Sequence, residues 1–127
     1  MARLEAALRK FVKGFYYALQ GVVYVFRYER NARVHLLFAI AAFMLGLVLG
    51  VSDAELAAIF FAVIIVFLAE IFNTAIEKTL DLVDTNHNPK IMIIKDMAAG
   101  AVLLAAVAAA MIGVVIFAPY LVREWPR

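Results

Sequence analysis

The sequence predicts an all-α integral membrane protein, with three transmembrane helices preceded by an amphipathic surface helix. Three observations lead there. Apolar residues make up 67% of the 127-residue chain, and the mean hydropathy is +0.95. A soluble domain is nearer half apolar, so the excess needs a second solvent, and lipid supplies it. Long apolar stretches recur after Val34, after Ala54 and after Lys95. The cations Arg3, Arg9, Lys10, Lys13, Arg27, Arg30 and Arg33 crowd into the first 34 residues against only Glu5 and Glu29. The length suits one domain, spanning residues 1–127.

Residues 3–27 interleave Arg9, Lys10 and Lys13 with Phe11, Phe15, Tyr16, Leu19, Val23 and Phe26 at helical spacing. That pattern suits a helix in the membrane interface, its cations toward anionic headgroups. Packing on the protein's own spans is the other reading, and the two are compatible. The first long apolar run begins behind a basic stretch far longer than a signal-peptide n-region, so the apolar runs are expected to remain as spans.

The first span covers about Leu36 to Val51, with Gly46 and Gly50 forming a GxxxG pair that allows close helix approach. Ser52 or Asp53 then caps a second helix, with Glu55 in its first turn. This helix is apolar from Leu56 to Ala69, meets Glu70, and continues to about Val83. Residues 84–89 are loop chemistry. A third helix starts between Lys90 and Lys95 and ends near Pro119, rich in small residues that favour tight packing in lipid. The turn at 51–55 has no Lys or Arg, whereas the 78–96 segment has Lys78, Lys90 and Lys95. The positive-inside bias therefore puts the N-terminus and the 78–96 loop in the cytoplasm. Tyr120 and Trp125 fit an outer aromatic belt.

The second helix carries the chemistry. Glu70, Asn73, Thr74, Glu77, Asp81 and Asp84 share one face of it. About 20 residues cross the hydrocarbon core, which leaves Glu70 roughly one turn inside the cytoplasmic boundary and Glu77 and Asp81 at or beyond it. Ionisable groups at such depth point to function. Acids on one stripe repel, so a cation should bind there. The protein's own Arg30, Arg33 and Lys95 could serve, or a divalent metal, since Mg²⁺ takes one or two carboxylates plus phosphate oxygens and water. A structural salt-bridge network is the plainer alternative. Glu29 and Arg33 are i,i+4 partners if helical and lie at the same depth. Lys95 could hold a phosphate or merely snorkel beside Asp96. His35 and His87 read as interfacial or structural residues.

Several classes are excluded. Without cysteine there is no thiolate chemistry or disulfide. A net charge of +2 gives no pull toward nucleic acid. The P-loop and the protein-kinase HRD and DFG elements are missing, so any phosphoryl transfer uses another scaffold.

The segment Glu70-Ile71-Phe72-Asn73-Thr74-Ala75-Ile76-Glu77, then Asp81, then Lys95-Asp96-Met97-Ala98-Ala99-Gly100-Ala101-Val102, resembles the prokaryotic diacylglycerol kinase family over about residues 9–118. The resemblance implies a homotrimer of three-span subunits, each with an N-terminal surface helix, in the bacterial cytoplasmic (inner) membrane. The implied reaction moves the γ-phosphoryl of Mg²⁺-ATP to the hydroxyl of a membrane lipid alcohol. By likeness, Glu70 is the general base, and Glu29 and Glu77 are the metal-binding carboxylates. Asn73 stands beside the base. Tyr17, Lys95 and Asp96 match nucleotide-site residues, and Glu29 and Glu77 join them through the metal. Asn86, His87 and Asn88 occupy the region of further nucleotide contacts, although Asn86 and Asn88 depart from the acidic or aromatic types usual there. Lys10, standing where some members have Arg, joins Arg33, Asn73 and Glu70 on the lipid side. The stretch Glu29-Arg30-Asn31-Ala32-Arg33-Val34-His35 resembles the Gram-positive, undecaprenol kinase-like branch. That makes undecaprenol the expected substrate, with diacylglycerol the alternative. A non-catalytic scaffold or cation carrier is the alternative of another class. A trimer is also expected because three spans alone cannot easily shield the acidic stripe from lipid.

Overall fold

A computed structural model of the chain describes residues 1–83 and 88–123, the side chains of Ala2 and Arg123 excepted. Among the described residues every regular element is α-helical: α1 (Ala2–Tyr28), α2 (Arg30–Leu49), α3 (Asp53–Val83) and α4 (Pro89–Arg123). The last three are long and apolar enough to cross a membrane. At 1.5 Å per residue α3, with 31 residues, reaches about 46 Å against a hydrocarbon core of about 30 Å. Its polar end therefore projects beyond the oil. No glycine or proline interrupts residues 53–83, so the acidic stripe stays in register with the apolar part of the same helix.

Helix α3 packs most extensively on α4 and less on α2. The core is thin and built mainly of small side chains, including the wholly buried Ala32 and the buried Ala39, Ala62 and Ala98. Large apolar side chains point outward instead, among them Phe38, Val48, Leu104 and Val115. In water so much exposed apolar surface would drive aggregation. In a bilayer it faces lipid.

The chain reverses by explicit capping chemistry. Helix α1 ends at Glu29, whose backbone turns extended at φ −94° and ψ 124°. Glu29 is therefore not helical, and the expected i,i+4 pairing with Arg33 does not form. Helix α2 ends at Gly50, which adopts the left-handed region at φ 64° and ψ 42°. The Val51 N–H donates to the Gly46 carbonyl at 3.1 Å and the Gly50 N–H to Leu47 at 3.3 Å, the Schellman arrangement. The two glycines of the GxxxG pair thus do different work. A β-carbon on Gly46 would meet Val51 at 3.3 Å and Ile59 and Leu56 at 3.6 Å, so only Gly46 serves close approach. Gly50 has open space around it and serves the turn. Gly50→Ala should cost about 1 kcal/mol through left-handed strain alone, seen as a lower thermal midpoint in detergent with unchanged activity.

Helix α3 opens with a capping box. The Ser52 N–H and hydroxyl donate to Glu55 Oε2 at 2.8 and 2.7 Å, and the Glu55 N–H returns to Ser52 Oγ at 3.4 Å. The Tyr120 hydroxyl donates to the same carboxylate oxygen at 2.7 Å, so it ties α4 to α3 as well as suiting an aromatic belt. Helix α4 starts at Pro89, with Asn88 Oδ1 accepting from the Lys90 N–H at 3.0 Å. It does not stop near Pro119 as expected but runs on to Arg123. A proline removes a single donor, and the bond from Tyr120 to Glu55 holds the following turn against α3. Trp125 lies outside the described residues.

Candidate active site

Three side chains of the α3 stripe are buried side by side: Glu70, Asn73 and Thr74, at 2%, 7% and 3% exposure. Positions 73 and 74 each lie about one turn from position 70, on the same side of the helix. The Asn73 amide donates from Nδ2 to Glu77 Oε1 at 3.2 Å. Glu70 Oε2, Asn73 Oδ1 and Thr74 Oγ1 are buried without a hydrogen-bond partner. Each such atom costs about 1–3 kcal/mol.

The stripe opens outward from there. Glu77 is half-buried, while Lys78, Asp81, Leu82 and Val83 are exposed. Glu29 comes to the same place from the α1–α2 junction. It meets α3 at Lys78, the residue next to Glu77, so carboxylates from two parts of the chain lie on this stretch of the helix. Glu29 is paired there with Lys78 Nζ at 3.4 Å. This partner was not legible in the sequence, because it depends on the break in the backbone at residue 29. The Phe26 ring packs edge-on against Phe67, centroids 4.9 Å apart, which fixes the end of α1 beside α3.

Lys95 lies at the start of α4, with Nζ 2.6 Å from Asp81 Oδ1, and Asp96 beside it is exposed. Of the three cations considered for the acidic stripe, Lys95 thus meets its outermost described carboxylate. Arg30 and Arg33 are exposed on α2, and no ion pair involves them among the described residues. Tyr17 and Lys10 lie on the exposed part of α1, Tyr17 edge-on to Tyr16 at 5.8 Å. Asn88 is engaged as the cap of α4. Asn86, His87 and Asp84 lie outside the described residues.

Among the described residues no three His, Cys, Asp or Glu side chains form a ready-made metal cage. Mg²⁺ uses few protein carboxylates and completes its shell with phosphate oxygens and water. Glu29 and Glu77, both close enough to act on Glu70, fit that requirement.

One turn toward the membrane interior the surroundings become apolar. A cavity of about 360 Å³ lies between α2, α3 and α4, lined by His35, Ala39, Ala62, Val66, Phe67 and Ala106 among others.

Fold and site together define an all-helical protein with three helices long and apolar enough to cross a membrane and with carboxylates gathered toward the C-terminal end of one of them. Residues 16–117 match the prokaryotic diacylglycerol kinase family, and the chain belongs to it. It is 40% identical to an undecaprenol kinase of Bacillus subtilis over 114 residues, 90% of this chain and 93% of that relative. It is 38% identical to a diacylglycerol kinase of Synechocystis over 100 residues, 78% of this chain and 57% of that relative. The chain is accordingly a membrane lipid kinase, with ATP as co-substrate, which sets aside the scaffold and carrier alternative.

Proposed function

We propose that this enzyme phosphorylates undecaprenol, with Glu70 as general base. The observation that carries the mechanism is the buried Glu70 carboxylate, with Oε2 unpartnered, before the exposed polar part of α3. An oily alcohol is anchored with its hydroxyl near that level, and ATP stays in water. Glu70 accepts the hydroxyl proton, the alcohol oxygen attacks the γ-phosphorus, and the bond to the leaving ADP breaks. Asn73, bonded to Glu77, stands beside the base on the lipid side. Glu29 and Glu77 would hold Mg²⁺, which when bound neutralises charge on the phosphates. Lys95, Asp96, Tyr17 and the 86–88 segment would face the nucleotide, and Lys10 and Arg33 the lipid head. Lys95 would exchange Asp81 for phosphate on binding. Most of the rate gain comes from positioning and charge neutralisation.

The apolar cavity beside Val66 and Phe67 supports a substrate whose chain runs into the bundle below its hydroxyl. Undecaprenol is favoured over diacylglycerol by the nearly end-to-end match to the Bacillus subtilis relative, against 57% coverage of the Synechocystis one. Around this single domain we place a homotrimer in the bacterial cytoplasmic membrane, with the N-terminus and the 78–96 loop in the cytoplasm. Leu4, Leu8, Phe11, Phe15 and Val22 recur at helical spacing on the otherwise uncovered α1, which supports a helix lying on the membrane surface.

A side-by-side assay of labelled phosphate transfer to undecaprenol and to diacylglycerol in mixed micelles tests the substrate. A higher kcat/KM for undecaprenol is expected. A preference for diacylglycerol would reverse the choice.

A further inference from the structure

Helix α3 contains two threonines whose hydroxyls behave differently. Thr79 is exposed, and its hydroxyl donates to the Ala75 carbonyl one turn back at 2.8 Å. That is the default for threonine in a helix, where the i−4 carbonyl is always within reach. Thr74 is buried at 3% exposure, yet its hydroxyl has no partner at all, not even the carbonyl of Glu70. A buried hydroxyl that leaves its own backbone acceptor unused is costly, and β-branching leaves threonine few rotamers through which to escape. The unpartnered Glu70 Oε2 lies one turn away on the same face. The two groups are not bonded to each other, and one bound oxygen between them would satisfy both. It must accept from a hydroxyl and donate to a carboxylate. An alcohol does both with one oxygen.

We infer that Thr74 is a substrate-binding residue whose hydroxyl donates to the oxygen of the acceptor alcohol while that alcohol donates to Glu70. This rests on Glu70 as the proton acceptor and adds a second anchor for the same hydroxyl. Two hydrogen bonds fix where the oxygen lone pairs point, whereas a single bond to Glu70 leaves the alcohol free to swing. As the proton passes to Glu70, the bond from Thr74 strengthens on the increasingly negative oxygen. Phosphates are discriminated against in this subsite, since Glu70 repels them. The ligand class is a neutral primary alcohol.

The test is Thr74→Val, which keeps the shape and deletes the hydroxyl, beside Thr74→Ser, which keeps the hydroxyl. Thr74→Val should raise KM for the lipid alcohol about tenfold and lower kcat, with KM for ATP unchanged. Its unfolding midpoint without lipid should rise, because a buried unpartnered hydroxyl has become a methyl group. Thr74→Ser should restore most of the lipid KM. A structural role would move the other way, with a lower midpoint and both substrates affected together, and that result overturns the inference. Unchanged lipid kinetics in Thr74→Val overturns it as well. Glu70→Gln run in parallel separates the two claims. An inactive Glu70→Gln with a kinetically normal Thr74→Val removes only the second anchor. A fully active Glu70→Gln removes the base, and with it the two-point anchoring.

Discussion

Glu70→Gln should lower lipid phosphorylation about a thousandfold, the typical contribution of a positioned general base, while the helices still form and pack. The two side chains have nearly the same shape, so the substitution removes little except the capacity to accept a proton. Glu70 is the most completely buried large side chain among the described residues, and a neutral amide is easier to bury there than a carboxylate facing Glu29 and Glu77. The folded state should therefore be at least as stable as before. Positioning of nucleotide and lipid survives in the variant, which is why a residual rate above background is expected. Transfer of labelled γ-phosphate, measured beside the thermal midpoint, checks both halves. Wild-type transfer would remove Glu70 from its role, and a collapsed midpoint would show that the residue serves the fold.

The second large effect is expected at Glu77. Glu77→Gln should reduce kcat/KM for ATP about a hundredfold, in the range for losing one charge-stabilising group, and should raise the Mg²⁺ concentration needed for half-maximal rate. Glutamine retains a side-chain oxygen, so the bond from Asn73 Nδ2, now 3.2 Å, can persist. The effect is then one of charge. Mg²⁺ draws much of its shell from phosphate oxygens and water, so on this proposal loss of either Glu29 or Glu77 should show at low Mg²⁺ and be partly repaired at high Mg²⁺. A Mg²⁺ titration at fixed ATP provides the measurement, and an unchanged titration curve would remove Glu77 from the metal site.

Much of this architecture was legible in the sequence because lipid imposes coarse rules. Span number follows from apolar length, and the polar face of α3 follows from a 3.6-residue period through a helix without glycine or proline. A cap at Ser52 or Asp53 with Glu55 in the first turn was visible in the sequence, whereas the reciprocal bonding of Ser52 and Glu55 was not. Contacts between distant segments were not. Glu29 reads as the first member of a helical pair with Arg33, but an extended residue at 29 turns it toward Lys78 instead. Tyr120 reads as a belt residue, and only the packing of α4 on α3 brings its hydroxyl to Glu55. Pro119 reads as a stop, yet one missing donor did not end the helix. Thr74 looked like one member of a stripe. Its lack of any partner is a three-dimensional property that spacing does not encode.

The central claim is that α3 crosses from oil to water within a few residues of Glu70, bringing an oily hydroxyl and a hydrated nucleotide together. The chain has no cysteine, so single spin labels can be attached at Phe72→Cys and Leu82→Cys, two exposed positions flanking the proposed boundary. In bilayers, the label at 72 should be relaxed by oxygen and shielded from a water-soluble nickel chelate, and the label at 82 should show the reverse. Finding both labels in water, or both in hydrocarbon, would contradict the account, because Glu70 and Glu77 would then lie on the same side of the interface.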